Sequence, residues 1–282
     1  HYLKSKIKIY PYKIKKFVHL GTPEQYSDFI NWKNIIKSKN KKIMLNNFPT
    51  FMLAGGKGER VNTLNKKKPL LSFLGKPIYE YIFNKYNSKK KIIITNNNFI
   101  HSFDKKKYQL ELIPKTNSMF NSIYAARNIL QINNSFLLTS CDCFGSFNLA
   151  KIRKLCKSKI DLIFFAFNFS EMQKKLNNAH TQLITISNKL KDIRVKKKYK
   201  FGYYGHAGFF WINNGKVFDF LDIFKNSKDF KALKREVLID DYFKFLVKYN
   251  KINSAYFLLK NYVHLGSIKE YKEYLYWKEY FN

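Results

Sequence analysis

The sequence has little cysteine and no long apolar run. Three cysteines among 282 residues, Cys141, Cys143 and Cys156, are too few and too uneven in number for a disulfide framework, so a reducing compartment is expected. A C-x-C pair without a second pair also lacks the spacing of a zinc site. No apolar run approaches the roughly 18 residues that a membrane span needs, and no signal peptide is visible. These absences predict a cytoplasmic protein.

Arginine is also scarce, although the chain is strongly basic. Lys plus Arg number 53 against 19 Asp plus Glu, which gives a formal net charge of +34, but arginine occurs only at positions 60, 127, 153, 194 and 235. Nucleic-acid sites favour the bidentate guanidinium, whereas these lysines are spread along the whole chain beside many Asn, Ile, Phe and Tyr. We interpret the charge as codon bias and expect no nucleic-acid partner. A positive field would still draw phosphorylated substrates toward a cleft.

The remaining composition predicts a globular protein of the α/β class. Hydrophobic residues make up 45% and aromatic residues 18%, which is enough for a sizeable core. Short β-branched or aromatic runs alternate with helical spacing, which predicts a mostly parallel mixed sheet flanked by helices. The pattern changes after about residue 180 and predicts an α+β C-terminal half. Predicted strands cover 48–53, 91–95, 108–113, 135–139, 161–167, 180–186, 203–212 and 255–259; predicted helices cover 77–86, 121–132, 149–157, 215–224 and 240–249.

A segment near the beginning recurs near the end. Residues 18–33, VHLGTPEQYSDFINWK, match residues 263–278, VHLGSIKEYKEYLYWK, at an offset of 263 − 18 = 245. Such a long repeat is not complete twice within the chain. We therefore interpret residues 1–38 as the closing strand and helix of a preceding homologous module, 39–46 as a linker and 47–282 as one whole module. An unrelated amphipathic extension is the alternative for the first segment.

A glycine-rich loop follows the first predicted strand of this module. The strand FPTFML runs into AGGKGER at residues 54–60, and its glycines let backbone N–H groups face an anion without a Cβ in the way. Open α/β sheets bind ligands at this carboxyl edge. Val61 stands where GxGxxG has its third glycine, and no Gly-Lys-Ser/Thr follows, so the loop is neither a dinucleotide fingerprint nor a Walker loop.

The string LAGGKGER, followed by KKPL and GKPIYEYI, resembles the sugar-phosphate nucleotidyltransferases, which include the MobA-like proteins and have a Rossmann-like fold. The resemblance extends over about residues 48–282 and is strongest over 51–83. It implies a triphosphate site in which Arg60 and Lys68 are catalytic. A tight strand-to-helix turn with solvated lysines is the alternative. The implied nucleotide-binding residues of the loop are Leu53, Ala54, Gly55, Gly56 and Gly58.

Two later motifs agree with this family in order and spacing. The apolar strand LLTSCD ends in Asp142, and the resemblance implies that this carboxylate is catalytic and binds Mg²⁺. A helix cap or turn is its alternative role, and Cys141 and Cys143 are expected in the core. The residues 116–118, Thr116, Asn117 and Ser118, stand where the family contacts the base, although the usual glycine is missing. Ordinary helix capping is the alternative for them.

The residues that the resemblance assigns to the acceptor are Lys196, Gly208, Glu236 and His264. Val195 stands where relatives have Glu before the lysine, and a solvated lysine run is the alternative for Lys196. A helix N-terminal charge preference is the alternative for Glu236 and its neighbours. His264 stands where relatives have a second metal-binding Asp. Imidazole is a poor Mg²⁺ ligand, so we expect a neutral His264 either to contact the acceptor phosphate, titrating between roughly pH 5 and 8, or to be structural.

The resemblance implies transfer of a nucleoside monophosphate from a nucleoside triphosphate to a sugar 1-phosphate, with Mg²⁺ as cofactor and release of pyrophosphate. The implied pathway is the synthesis of surface polysaccharide precursors. Three alternatives stay open: a catalytically inactive nucleotide-binding copy, a phosphocholine-type cytidylyltransferase, and a glycosyltransferase on the same fold. The D-x-D motif expected of the last is absent from Asp142-Cys143-Phe144. No membrane partner is expected.

Overall fold

The computed structural model describes residues 10–14, 16–37, 42–56, 67–170, 174, 180–187 and 189–281. Gly58, predicted to bind the nucleotide, and Arg60, predicted to be catalytic, lie outside the described residues. The strands between residues 50 and 140 carry the parallel part of the fold, and the later part of the chain adds antiparallel strands.

Four parallel strands form one half of the central sheet. In spatial order they are β8 (Phe136–Ser140), β2 (Thr50–Leu53), β6 (Lys91–Thr95) and β7 (Gln109–Leu112). Their inner members are almost continuously apolar, because helices cover both faces of a parallel sheet. The carboxyl ends of β2 and β8 meet at one edge, where Leu53 pairs with Ser140.

The other half of the same sheet is built around the long strand β13 (Tyr204–Ile212). It pairs antiparallel with β8, with β10 (Leu162–Phe167) and with β11 (Gln182–Ile186). β12 (Lys189–Arg194) extends this edge, and β14 (Ser254–Leu258) pairs parallel with β10. The described residues thus form a nine-stranded mixed sheet. The predicted α/β class with an α+β C-terminal half is confirmed.

Three small two-stranded sheets flank the large one. β1 (Ile43–Asn46) pairs with β5 (Tyr86–Ser88), β3 (Ser72–Phe73) with β4 (Lys76–Pro77), and β9 (Cys143–Ser146) with β15 (Lys260–His264). The linker predicted over 39–46 includes β1, and its boundaries stay a prediction. The strands β9, β12 and β15 were not predicted, since they are short or carry polar residues at alternate positions.

The described helices cover both faces of the sheet. The helix predicted over 121–132 is divided at Ala126, where the backbone leaves helical geometry (φ −92°, ψ 8°). In the described part of the chain, 3₁₀ turns occur at Lys68–Leu70, Ile100–Ser102 and Gly215–Phe218. The helices are α1 (Pro23–Lys37), α2 (Ile78–Lys85), α3 (Met119–Ala125), α4 (Arg127–Gln131), α5 (Leu149–Lys157), α6 (Leu221–Asn226), α7 (Lys228–Lys231), α8 (Ile239–Lys248) and α9 (Ile268–Phe281).

The core consists of two apolar layers, one on each face of the sheet. Consecutive strand residues enter opposite layers: Phe165 and Phe209 pack in one, Phe164 and Phe210 in the other. Cys141 and Cys143 are buried in the first layer, as predicted. Among the described residues, no helix is both long and apolar enough to cross a bilayer.

Candidate functional site

Asp142 lies in the turn between β8 and β9, at the carboxyl edge of the parallel strands. The hydroxyl of Ser140 donates to Oδ1 at 2.6 Å, and the ammonium of Lys68 forms a salt bridge with Oδ2. Burial opposes the charge of this carboxylate, but Lys68 and His264 outweigh burial and hold the pKa of Asp142 well below its ordinary value. Two residues that the sequence predicted as catalytic are therefore in direct contact.

His264 contacts the same carboxylate from the other side. The antiparallel pairing of β15 with β9 sets His264 opposite Cys143, so that Nε2 lies 3.5 Å from Oδ2 of Asp142 and Nδ1 lies 2.5 Å from Oε1 of Glu270. Burial opposes protonation, but the two carboxylates outweigh it and raise the pKa of His264 to about 9. The raised pKa favours the imidazolium at neutral pH, in contrast to the neutral imidazole expected from an ordinary pKa.

Glu270 and His180 complete this cluster, and neither was predicted. Glu270 lies in the first turn of α9, where the hydroxyl of Ser267 donates to Oε2 at 2.7 Å. The Ser-x-x-Glu spacing is a readable helix-start signal, but the sequence does not show that Oε1 faces His264. Nε2 of His180 lies 3.6 Å from that oxygen. Burial lowers the pKa of His180 to about 4, and Lys196 adds to the lowering, so His180 is neutral.

The predicted nucleotide-binding residues at the end of β2 lie beside this cluster. The backbone N–H of Ala54 donates to Ile94 at 3.0 Å, and the side-chain amide of Asn96 donates to the carbonyl of Gly55 at 2.8 Å. A Cβ on Gly55 would lie 3.3 Å from Nδ2 of Asn96. Leu53 pairs with Ser140, which is two residues before Asp142, so residues 53–56 leave the sheet beside the Asp142 turn.

The residues 116–118 form the start of α3. Ser118 is the N-cap and accepts from the backbone N–H of Asn121 at 3.1 Å, while the hydroxyls of Thr116 and Ser122 are 2.6 Å apart. The capping role is thus confirmed for Ser118. Asn117 is exposed. Contact of this loop with a base stays a prediction.

One predicted acceptor residue, Gly208, borders the Asp142 turn, and another, Lys196, lies near His180. Gly208 has a φ of +78°, and a Cβ there would lie 3.3 Å from Sγ of Cys143 and 3.9 Å from Oγ of Ser140. The bend of β13 at Gly208 therefore passes directly against the turn. Lys196 follows β12 and lies near enough to His180 for its charge to act on that imidazole. Contact of either residue with an acceptor stays a prediction.

The predicted acidic group around Glu236 is divided in the structure. Asp241 accepts from the backbone N–H of Leu238 at 2.9 Å and pairs with Arg235 at 2.6 Å, so it caps α8. Asp240 is buried and pairs with Nδ1 of His206 at 2.7 Å. Glu236 itself is exposed, and within the described part of the chain no hydrogen bond or ion pair joins it to the Asp142 cluster. The helix-capping alternative is correct for Asp241.

Part of the sequence is similar to a known family. Residues 50–159 match the family model of the MobA-like NTP transferase domain. Over this segment the chain is similar to nucleotidyltransferases. The matched segment runs from β2 to the end of α5 and includes the glycine-rich loop, Lys68 and Asp142. The resemblance to nucleotidyltransferases is thereby confirmed. No curated protein matches this chain.

Solved structures of nucleotidyltransferases share the fold over most of the chain. A protein from Bacillus anthracis assigned as a glucose-1-phosphate thymidylyltransferase superposes with a TM-score of 0.64 at 16% identity, covering 85% of this chain and 97% of its own. The inositol-1-phosphate CTP transferase from T. maritima gives 0.62 at 13% identity, covering 83% and 96%. The CTP:phosphocholine cytidylyltransferase from Streptococcus pneumoniae gives 0.61 at 18% identity, covering 84% and 100%. This chain therefore shares its fold with these three proteins over most of its own length and almost all of theirs.

Proposed function

We propose that this nucleotidyltransferase transfers a nucleoside monophosphate from a nucleoside triphosphate to a phosphomonoester, with a sugar 1-phosphate as the leading acceptor. The observation that carries the proposal is the cluster of Asp142, Lys68 and His264 beside the end of β2. Inositol 1-phosphate and phosphocholine are the other acceptors, because they belong to the same chemical class and are named for structural neighbours. A nucleotide-activated product suits the synthesis of surface polysaccharide precursors.

The reaction requires alignment and charge neutralisation more than proton transfer. An anionic oxygen of the acceptor phosphate attacks the α-phosphorus and forms the new P–O bond. The bond from that phosphorus to the bridging oxygen breaks, and its electron pair leaves with pyrophosphate. Because the attacking oxygen is already anionic, no base is needed, and the protein acts by positioning and by stabilising charge.

The structure supports distinct roles for the cations of the cluster. Lys68 contacts Asp142 from the segment that follows the glycine-rich loop, so we assign it to the triphosphate, together with Arg60. The imidazolium of His264 lies 3.5 Å from Asp142, which is the long limit of a hydrogen bond. A phosphate oxygen of the acceptor would therefore compete well for that donor. Lys196 adds a second positive charge on the acceptor side.

Asp142 would also hold Mg²⁺ that arrives with the triphosphate. Lys68 forms a salt bridge with Oδ2, and in the proposed reaction its ammonium would turn to the triphosphate and leave that oxygen to the ion. One carboxylate together with phosphate oxygens is a normal Mg²⁺ environment. When bound, the ion would neutralise charge on the triphosphate. His264 stands where relatives have a second metal-binding Asp, and an imidazolium there would repel a second ion. The donor set therefore fits one Mg²⁺ and not two.

Pyrophosphate release tests the proposal directly. The chain is mixed with each of four nucleoside triphosphates, Mg²⁺ and a panel of sugar 1-phosphates, inositol 1-phosphate and phosphocholine. Arg60→Ala and Asp142→Asn should each lower turnover by roughly 10²- to 10³-fold, as expected for the loss of one preorganised charge. Asp104→Asn is the matched control, since Asp104 is a surface acid paired with Lys107 at 3.4 Å. Wild-type rates in Asp142→Asn would contradict the site.

A catalytically inactive nucleotide-binding copy is the second candidate. Two observations favour it. Val195 replaces the usual Glu, and Lys68 and His264 both contact Oδ2 of Asp142, the oxygen that Mg²⁺ would need. The same experiment separates the two functions. Binding of a triphosphate without pyrophosphate release from any acceptor would support the inactive copy.

A further inference from the structure

The repeat found in the sequence is also a repeat in the structure. α1 begins at Pro23 and α9 begins at Ile268, which are 268 − 23 = 245 residues apart, the offset of the sequence match. Each helix starts with the same capping bond, in which the backbone N–H of Gln25 donates to Oγ1 of Thr22 and that of Glu270 donates to Oγ of Ser267. The two copies therefore fold alike at their helix starts.

The histidines of the two copies also have the same local geometry. A Cβ on Gly21 would lie 2.7 Å from the ring of His19, and a Cβ on Gly266 would lie 2.4 Å from the ring of His264. Each imidazole thus turns back over the glycine two residues later. The strand-to-helix corner that positions His264 in the site is present a second time around His19.

The helices of the two copies pack on each other with exchanged contacts. Phe29 meets Trp277 at a ring separation of 5.8 Å, and Trp32 meets Tyr274 at 6.3 Å. Because Tyr274 is the counterpart of Phe29 and Trp277 that of Trp32, each contact is the mirror of the other. Such reciprocal pairing is typical of a two-fold interface between equivalent elements. Phe29 also meets Phe281, whereas the indole of Trp32 donates to Glu273, so the two helices run antiparallel.

The segment before α1 differs from its counterpart in burial. Ile14, Phe17 and Leu20 are exposed by 62%, 65% and 42%. Their counterparts are Leu259 and Leu265, exposed by 8% and 0%, and Tyr262, which stacks on Phe167 at 4.1 Å. The second copy is buried because β15 pairs with β9 and the backbone N–H of Leu265 donates to the backbone carbonyl of Asp142. Within the described residues, no strand pairs with residues 16–20.

We propose that residues 10–14 and 16–22 dock into a second module of this fold, encoded upstream in the same chain, and that α1 and α9 form the two-fold interface between the modules. In the upstream module, the counterpart of β9 would pair with residues 16–19 and cover Phe17 and Leu20. An upstream module is favoured as the partner because residues 259–265, which have the same pattern as 14–20, are covered by β9 of their own module. The proposal is independent of the proposed function.

The first test is the sequence upstream of His1. The counterpart of the glycine-rich loop is expected at 54 − 245 = −191, roughly 190 residues before His1, and the counterpart of Asp142 roughly 100 residues before it. The second test compares hydrogen exchange in residues 1–282 alone with hydrogen exchange in a longer chain that also includes the upstream module. Amides of residues 16–20 should exchange at least about 100-fold more slowly in the extended chain, whereas those of 261–265 should be protected in both.

A substitution distinguishes docking from a general change in stability. Phe17→Glu in the extended chain should abolish the slow exchange of residues 16–20 and leave residues 261–265 protected. Phe201→Glu is the matched control, since Phe201 is 89% exposed and outside the repeat. Three results would overturn the proposal: no homologous module upstream, equal exchange of residues 16–20 in both chains, or concentration-dependent dimers of the given chain that Phe17→Glu dissociates. The last would make a second copy of this chain the occupant.

Discussion

Glu270→Gln should remove the charge that keeps His264 protonated while preserving the start of α9. The amide is a suitable cap, because Gln25 occupies the equivalent position in α1 and accepts from the backbone N–H groups of Gly21 and Thr22 at 2.9 and 3.2 Å. The substitution therefore changes one charge next to His264 and little else. Asp142 remains as the other carboxylate in contact with the imidazole.

The size of the effect follows from the pKa of His264. Burial opposes its charge, and Glu270 is the largest influence that raises the pKa to about 9. Relative to an ordinary value of about 6.5, this is about 2.5 pH units, or about 3 kcal/mol of stabilisation of the charged form. We expect the pKa of His264 to fall in the variant, because Asp142 alone remains to oppose the effect of burial. Since the folded pKa is above the unfolded one, this stabilisation is complete below about pH 6.5 and disappears as the pH rises through about 9.

Histidine NMR titration in metal-free buffer measures the pKa directly, and denaturant unfolding from pH 6 to 10 measures its consequence. In the variant, the free energy of unfolding should depend much less on pH between about 6.5 and 9. Ser267→Ala is the control: it should lower stability by about 1 kcal/mol at every pH through loss of the cap, with the pKa of His264 unchanged. A pKa of His264 that remains near 9 in Glu270→Gln would refute the charge assignment.

Three further substitutions test other parts of the structure. Gly266→Ala would place a Cβ 2.4 Å from Nε2 of His264, so it should displace the imidazole and abolish its raised pKa in the same NMR titration. Gly208→Ala should lower the free energy of unfolding by about 1 to 2 kcal/mol, because a φ of +78° strains any residue with a Cβ; denaturant unfolding measures this. Burial raises the pKa of Glu273 to about 7, so this carboxylate destabilises the fold above pH 7. Glu273→Gln should therefore raise the unfolding midpoint at pH 8 and change little near pH 4.5.

Local sequence patterns determined the elements and one half of the site. The buried strands and the helices between them have clear periods, so the α/β class and the strand ending before Asp142 could be predicted. The glycine-rich string and the KKPL motif identified Lys68 as a candidate site residue, and the structure shows it in contact with Asp142. The repeated histidine and helix start were also visible in the sequence, because the cap and the turn are made by residues close together along the chain.

Only the tertiary structure decided the charge and the partners of the site. The site combines three distant parts of the chain, which contribute Lys68, Asp142, and His264 with Glu270. The unpredicted pairing of β15 with β9 brings the last two residues to Asp142. A histidine in a sequence has an ordinary pKa near 6.5, but this one is buried between two carboxylates and is charged. Protonation depends on burial and on distances between charges. Those quantities exist only after the chain has folded.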